Sequence, residues 1–162
     1  MDGISLSWRS LPQSLIERHV LQDRVIVRSE EADREIRFLY RDVRPLLPVW
    51  VGDELNVFSW GHPQRRSKLP RTRAVAQETI QAGLWLNVHP QPVDIPASFG
   101  WDKGVWYRIK EGIRGILVRD ESNNPVVYLL TEPASHYYQV MTRNNRMPVL
   151  CGERIRCAGD LG

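Results

Sequence analysis

Short runs of alternating apolar and polar residues recur along the chain, and this pattern predicts a domain built mainly from β-strands. Glu35–Tyr40 alternates in this way, and Val49–Val51 followed by Glu54–Trp60 predicts a hairpin around Gly52-Asp53. Later strands are predicted to follow one another as a meander: Gly104–Ile109, Ile113–Arg119 and Pro125–Thr131. Shorter strands are predicted at Arg24–Arg28, Met147–Leu150 and Arg154–Arg156.

Helical signals are fewer than strand signals. Ser10–Leu21 is predicted as a first helix, because a capping serine precedes residues that share one apolar face. Ala74–Leu86 is predicted as a second helix, and a third is predicted to begin at a Thr131 cap. The proline-rich segment Asn87–Pro96 is predicted to be irregular. Together these elements predict one β-rich, mostly antiparallel α+β domain that spans the whole chain.

The composition is that of a single globular domain. The chain of 162 residues is 42% apolar and 25% charged, and its net charge of +3 implies little about partners by itself. No apolar run approaches the length of a membrane-spanning helix, and no basic segment followed by an apolar one opens the chain. We therefore expect a cytoplasmic protein without a membrane partner.

The residues that commonly hold metals do not form a recognisable set. Cys151 and Cys157 have five residues between them and no second pair, which is not zinc-site spacing, so two free thiols are predicted. The 4 histidines are scattered, and the common motifs of phosphate-binding loops, zinc proteases and serine hydrolases are missing. We expect neither a metal nor a cofactor.

Residues 61–73, called the basic segment below, have the strongest local charge asymmetry of the chain. They include no acidic residue and these cations: Arg65, Arg66, Lys68, Arg71 and Arg73. Such a run is usually a solvated, flexible loop. It also suits contact with phosphate groups, since guanidinium groups pair with phosphate oxygens and release counterions. We favour phosphate contact, because these cations repel one another and a polyanion would relieve that repulsion.

The segment Ile95–Arg108 combines aromatic residues and glycines with one carboxylate, Asp102, which lies between Trp101 and Lys103. A carboxylate among aromatic residues beside a glycine bend suits a functional site. The same pattern occurs in an ordinary loop over a small core. The residues alone leave both interpretations open.

Several short motifs follow one another along the chain: Trp60-Gly61, Ala76-Gln77-Glu78-Thr79, Pro96-Ala97 leading to Trp101-Asp102, Thr131-Glu132-Pro133-Ala134, and Arg146-Met147-Pro148-Val149-Leu150. Their order resembles that of the SOS response-associated peptidase (SRAP) family, roughly over residues 36–155. The resemblance implies a partly closed, barrel-like sheet with a few flanking helices. It also implies a role in the DNA damage (SOS) response, in which the family captures abasic sites in single-stranded DNA through an N-terminal cysteine.

The site positions that the resemblance implies are altered in this chain. The family begins Met-Cys-Gly, whereas Asp2 stands here in place of the nucleophilic cysteine. The family's catalytic glutamate corresponds to Asp102, its histidine to Asn144 and its asparagine to Ala74. Aspartate has no thiol, and asparagine can hydrogen-bond but cannot shuttle a proton as a general acid or base near neutral pH. Classical SRAP activity is therefore not expected.

Three hypotheses about function follow. The first is a divergent SRAP-like protein that binds single-stranded or damaged DNA without crosslinking to it. The second is an abasic-site lyase or peptidase that uses Asp102, and the third is a non-catalytic interaction protein that keeps only the fold. For the first hypothesis, the candidate nucleic-acid-binding residues are two tryptophans that could stack on bases and a set of cations: Trp60, Arg65, Arg66, Lys68, Arg71, Arg73, Trp101 and Arg146. The sequence leaves the oligomeric state open.

Overall fold

The computed structural model describes residues 1–64 and 66–152, and strands dominate their regular structure. In chain order the strands are β1 (Gly3–Ser7), β2 (Val25–Ile26), β3 (Glu35–Leu39), β4 (Leu46–Val51), β5 (Glu54–Trp60), β6 (Ala74–Ala76), β7 (Gln91–Ile95), β8 (Phe99–Asp102), β9 (Val105–Arg108), β10 (Ile113–Arg119), β11 (Pro125–Pro133) and β12 (Arg146–Pro148). The α-helices of these residues are α1 (Gln13–Arg18), α2 (Gln77–Gln81) and α3 (His136–Thr142). None of them is long and apolar enough to cross a membrane.

The strands form two sheets. Sheet A is open and antiparallel, in the order β2-β3-β1-β8-β9. Sheet B closes on itself through β10, β7, β4, β5 and β11, because β11 pairs with β5 along one edge and with β10 along the other. The contacts of β11 with β5 and β6 are parallel, and the other pairs of the described strands are antiparallel. The predicted β-rich α+β fold with a partly closed, barrel-like sheet is confirmed.

One apolar cluster joins the two sheets. Sheet A contributes Ile4 and Phe38, and sheet B contributes Val49, Trp60 and Ile95, each at most 1% exposed. A second cluster lies on β10 and β11 and is covered by the segment that contains α2 and the residues after it. Both faces of the β10–β11 pair are therefore buried, which explains the near-continuous apolar runs in these two strands.

The predicted second helix is wrong over most of its length. Ala74–Ala76 is strand β6, which pairs with Leu129–Thr131, and only Gln77–Gln81 of the predicted range is α-helical. Helix propensity differs by less than about 1 kcal/mol per residue among ordinary residues, so the ladder hydrogen bonds of a neighbouring strand override it. The first helix is also shorter than predicted and spans Gln13–Arg18.

The third helix is capped by Ser135 and not by Thr131. The Ser135 hydroxyl accepts a hydrogen bond from the Tyr138 amide at 3.2 Å. Thr131–Pro133 continues β11 and pairs with Arg146–Pro148, a strand that lies beyond the helix in sequence. Serine and threonine are both good caps, so the pairing with a distant strand decides which of them begins the helix.

The predicted meander is wrong at its first turn. Strand β9 pairs with β8 in sheet A, whereas β10 pairs with β7 and β11 in sheet B. The chain passes between the sheets at Gly112, whose φ of 137° favours glycine. The segment predicted to be irregular contains β7, which lies between β10 and β4. Cys157 and the predicted strand Arg154–Arg156 lie outside the described residues.

Candidate functional site

Asp102 ends β8 and is almost fully buried, with 1% of its surface exposed. Its Oδ2 accepts hydrogen bonds from the Tyr138 hydroxyl at 2.6 Å and from the Asn144 side-chain amide at 3.1 Å. The α-amine of Met1 lies 3.4 Å from the same oxygen. Residues that are far apart in the sequence therefore meet on one carboxylate, and these charge-assisted contacts offset the cost of burying it.

Met1 reaches this carboxylate because the backbone of Asp2, just before β1, already hydrogen-bonds to sheet A. The Asp2 amide donates to the Trp101 carbonyl at 2.7 Å, which places Met1 on the inner side of the sheet. Gly100 provides the space that Met1 fills. A Cβ added at Gly100 would lie 2.5 Å from the Met1 methyl carbon and 2.6 Å from Tyr107 Cζ. Met1 itself is 6% exposed, so its side chain closes the inner end of the site.

Two tyrosines complete the buried network. Tyr138, held by the Ser135 cap, donates its hydroxyl proton to Asp102, so its oxygen accepts from the Tyr107 hydroxyl at 3.1 Å. The two rings meet edge to face, with centroids 5.4 Å apart. Burial raises the pKa of both phenols above the ordinary value of 10.0. Both tyrosines therefore stay protonated and act as hydrogen-bond donors over the physiological pH range.

The loop after α3 presents Asn144 to the carboxylate. Arg143 adopts a positive φ of 61°, which turns the chain out of the helix. The Asn144 side-chain oxygen accepts from the Arg146 amide at 3.1 Å, and this contact directs the nitrogen of the same amide towards Asp102. Asn144, which the sequence resemblance aligns with a histidine, therefore supplies a fixed donor.

Asp2 lies at the rim of this network. It is partly exposed, accepts a hydrogen bond from the Lys103 amide at 3.0 Å and pairs with Arg73 at 3.4 Å. Arg73 directly precedes Ala74, the first residue of β6. Of the four positions singled out by the resemblance, Asp102 and Asn144 are thus in direct contact, Asp2 lies at the rim, and Ala74 follows a residue that contacts Asp2.

The arrangement limits what Asp102 can do chemically. Its Oδ2 is occupied by donors from the protein, and Met1 and Tyr138 cover it from solvent. Burial lowers the pKa of the Met1 α-amine below 8.0, and the neighbouring Asp102 carboxylate offsets part of that effect. Asp102 could act on a substrate only after Met1 moved away. In this structure the network holds β1, β8 and α3 together.

Trp60 does not fit its predicted role as a stacking surface. It is 1% exposed, its indole N–H donates to the Arg73 carbonyl at 2.8 Å, and its ring packs against Tyr40. A base needs an open ring face, which Trp60 does not offer. Trp101 does remain partly exposed, with the Arg41 guanidinium 5.1 Å from its ring centroid. Side chains alternate along a strand, so Trp101 and Asp102 lie on opposite faces of β8.

The basic segment is neutralised in part by distant acids. Arg66, Lys68 and Arg71 are exposed, whereas Arg65 lies outside the described residues. Glu121, in the turn between β10 and β11, accepts hydrogen bonds from the Lys68 amide at 2.8 Å and from Ser67. The Lys68 amide, followed by other hydrogen bonds, lowers the pKa of Glu121. The basic segment therefore contains no acid in its own sequence, but an acid from a distant part of the chain lies beside it in the fold.

Arg146 is also partly committed to contacts within the protein. Its guanidinium pairs with Glu78 at 3.0 Å and donates to the Thr131 carbonyl at 2.9 Å. These contacts join the loop after α3 to α2 and β11. Arg146 is 31% exposed, so one side of the guanidinium still faces solvent.

His62, Asp120 and Glu121 are the described residues that come closest to a metal-ligand set. His62 Nδ1 lies 3.1 Å from the Gln64 amide nitrogen and 3.2 Å from the Gln64 carbonyl oxygen, and Nε2 lies 3.1 Å from an Asp120 carboxylate oxygen. Backbone amides, first that of Asn124, also lower the pKa of Asp120. The ligand atoms are therefore used in hydrogen bonds that fasten the basic segment to the β10–β11 turn.

A cleft of about 720 Å³ opens between the Tyr40–Leu46 loop, the end of β5 and the basic segment. Arg41, Arg44 and Arg71 line it together with the rings of Tyr40 and Phe58. Asp42, the acid among its described lining residues, already accepts hydrogen bonds from Arg24 and from the Leu39 amide. The cleft is therefore electropositive and partly aromatic.

Sequence reasoning found Asp2, Asp102 and Asn144 but missed Met1, Tyr107, Tyr138 and Gly100. One available signal was the helical spacing of Tyr138 and Thr142, which places both on the buried side of α3. The partner of that helix face could not be read from the sequence. The chain matches no protein-family model, and comparisons with curated proteins and with solved structures give no match.

Proposed function

We propose that this chain is a divergent SRAP-like protein that binds single-stranded DNA and has lost the family's cysteine chemistry. The observation that carries the proposal is that Asn144 and the Met1 amine meet on Asp102, with Asp2 at the rim of the same network. The order of the sequence motifs assigns positions 2, 102 and 144 to one site. Their proximity supports descent from a common site, and the residue types at these positions support the loss of its chemistry.

The charge and shape of the neighbouring surface favour a polyanionic partner. Exposed cations of the basic segment adjoin the electropositive cleft, and Arg73 connects that segment to Asp2. Asp2 in turn binds the Lys103 amide, close to the strand end that carries Trp101. A phosphate backbone beside a partly exposed indole is the usual combination in proteins that bind single strands without sequence preference.

Binding to single-stranded DNA is expected to weaken steeply with salt. The variant Arg66→Ala, Lys68→Ala, Arg71→Ala should lower the affinity for oligothymidylate about tenfold or more. It should also flatten the plot of log affinity against log salt by about 2, because three phosphate contacts are removed. Fluorescence anisotropy between about 50 and 200 mM salt measures both effects.

A charge-matched control separates local contacts from net charge. Arg9→Ala, Arg18→Ala, Arg114→Ala removes the same charge from partly or fully exposed positions outside the basic segment and should bind nearly as well as the unchanged protein. If the unchanged protein binds no single-stranded DNA at low salt, the proposal fails. The non-catalytic interaction protein would then be the better hypothesis.

The protein is expected to be inert towards abasic-site DNA. Position 2 offers no thiol, and Asp102 is covered by Met1 and Tyr138, so neither a stable crosslink nor strand cleavage should form. A denaturing gel after incubation with an abasic oligonucleotide checks this, with an N-terminal cysteine peptide as the reactive control. A shifted or cleaved band that disappears in Asp102→Asn would instead support an enzyme that uses Asp102.

A further inference from the structure

The outer face of sheet A carries rows of aromatic and cationic side chains. Residues that are opposite one another in register share a face of the sheet. One row crosses four strands as Arg37, Ser5, Phe99 and Arg108. The next row contains Gly3, Trp101 and Trp106. This is the side of the sheet opposite Asp102, so its residues belong to a surface separate from the buried network.

The aromatic rings of this face are held in place by guanidinium groups. Trp101 and Trp106 stack with centroids 6.0 Å apart and an interplanar angle of 29°. Arg28 places its guanidinium carbon 4.0 Å from the Phe99 centroid and 4.4 Å from that of Trp106. The three rings are each partly exposed, so part of the stack faces solvent. Such packing orders large flat side chains before any ligand arrives.

Cations exceed acids around the row of this face that runs from Arg37 to Arg108. Arg28 is paired with Glu35, with Nε 2.8 Å from Oε2. Within residues 1–64 and 66–152, no carboxylate lies at ion-pair distance from Arg37, Arg41 or Arg108. The acids Glu30, Glu31 and Asp33 follow β2, at the opposite edge of the sheet. A polyanion would therefore lie along the row from Arg37 to Arg108.

A small cavity of about 260 Å³ opens at the end of the Phe99–Arg108 row. Its lining residues include Phe99, Ser98 and two cations, Arg108 and Lys110, and no acid is among those that the structure describes. An aromatic wall beside two cations and a hydroxyl suits one nucleotide, with its base against the ring and its phosphate near the charges.

We propose that the outer face of sheet A is the base-stacking platform for single-stranded DNA. Bases pack against the solvent-facing part of the Trp101–Trp106 stack, whose rings also contact Arg41 and Arg28, and phosphates lie near Arg37, Arg108 and Lys110. The inference rests on the proposed function and adds the surface and its chemistry to it. Because every base has a π-face, this platform binds without sequence preference, and it prefers single strands since duplex bases are already stacked.

Substitutions of the cations and of an aromatic residue test the platform separately. Arg37→Gln, Arg108→Gln, Lys110→Gln is expected to weaken oligothymidylate binding about tenfold or more and to flatten the salt dependence by about 2. Trp106→Ala is expected to weaken it about five- to a hundred-fold with an unchanged salt slope. Arg9→Gln, Arg18→Gln, Arg114→Gln is the charge-matched control. Circular dichroism establishes that each variant is folded.

Photocrosslinking of the unchanged protein locates the DNA independently of any substitution. A 5-bromodeoxyuridine oligonucleotide should attach within Phe99–Trp106, as read by mass spectrometry of the tryptic peptides. If the oligonucleotide binds but attaches only within the basic segment, and the sheet variants bind like the unchanged protein, the platform is refuted and the proposed function stands. If no oligonucleotide binds at low salt, both are refuted.

Discussion

The Asp102→Ala variant is expected to lose about 3–5 kcal/mol of the free energy of unfolding. The carboxylate is 1% exposed and is the acceptor for Tyr138 and Asn144 as well as the partner of the Met1 amine. Its removal leaves these donors buried without an acceptor, and each unsatisfied neutral group costs about 1–3 kcal/mol. Because the donors come from β1, α3 and the loop after it, the loss affects the assembly of sheet A with the helix.

Urea unfolding followed by circular dichroism measures this change, with Asp33→Ala as the control. Asp33 is 61% exposed and pairs with Arg9 on the surface, so its removal should cost about 0–1 kcal/mol. Asp102→Asn keeps the size and one acceptor oxygen and should be intermediate. A midpoint for Asp102→Ala equal to that of Asp33→Ala would contradict the network described here.

The free energy of unfolding is expected to fall steeply as the pH rises above about 10. Burial raises the pKa of Tyr107, Tyr128 and Tyr138 above 10.0 in the folded chain. Their stabilising contribution is fully present below pH 10, where both states keep the phenolic protons. Above pH 10 the unfolded chain releases these protons and the folded chain retains them, so the equilibrium shifts towards the unfolded state.

Each tyrosine that ionises only in the unfolded chain contributes a slope of about −1.4 kcal/mol per pH unit. Tyr138→Phe should therefore reduce the slope by about that amount, whatever its effect at neutral pH. Tyr137→Phe is the matched control on the same helix, since Tyr137 is 52% exposed. Urea midpoints at several values between pH 8 and 11.5 give the slopes. Equal slopes for Tyr137→Phe and Tyr138→Phe would refute the assignment.

The candidate site could be located in part from the sequence. Motif order singled out Asp2, Asp102 and Asn144, although more than a hundred residues separate the first from the last. The contacts that Tyr138 and Met1 make with Asp102 were missed, because no local sequence pattern indicates the partner of either residue. Trp60 was misjudged for a related reason. Trp60 is on the same face of β5 as Asn56 and Phe58, which are partly exposed. The end of β5 that carries Trp60 pairs with β11, however, and there the side chain is buried.

The basic segment shows how sequence proximity can mislead an electrostatic argument. Its cations have no acid among their neighbours along the chain, yet Glu121 binds the Lys68 amide and Asp2 pairs with Arg73. The repulsion inferred from the sequence is therefore smaller in the folded protein. Arg66 and Arg71 are exposed and can still contact phosphates. The proposal of nucleic-acid binding therefore does not depend on repulsion among the cations.

The sequence by itself determined the strands that have clear alternation and strong turns, such as Glu35–Leu39 and the hairpin at Gly52. It also indicated Asp102 as a candidate site residue. These features depend on side-chain period and on backbone preferences over a few residues. Only the tertiary structure decided that β11 closes sheet B, that Asp102 is buried among donors, and that Trp101 faces the other way. Those outcomes depend on which distant strands pair. The pairing depends on how well side chains from distant parts of the chain pack together, and no local sequence pattern shows this.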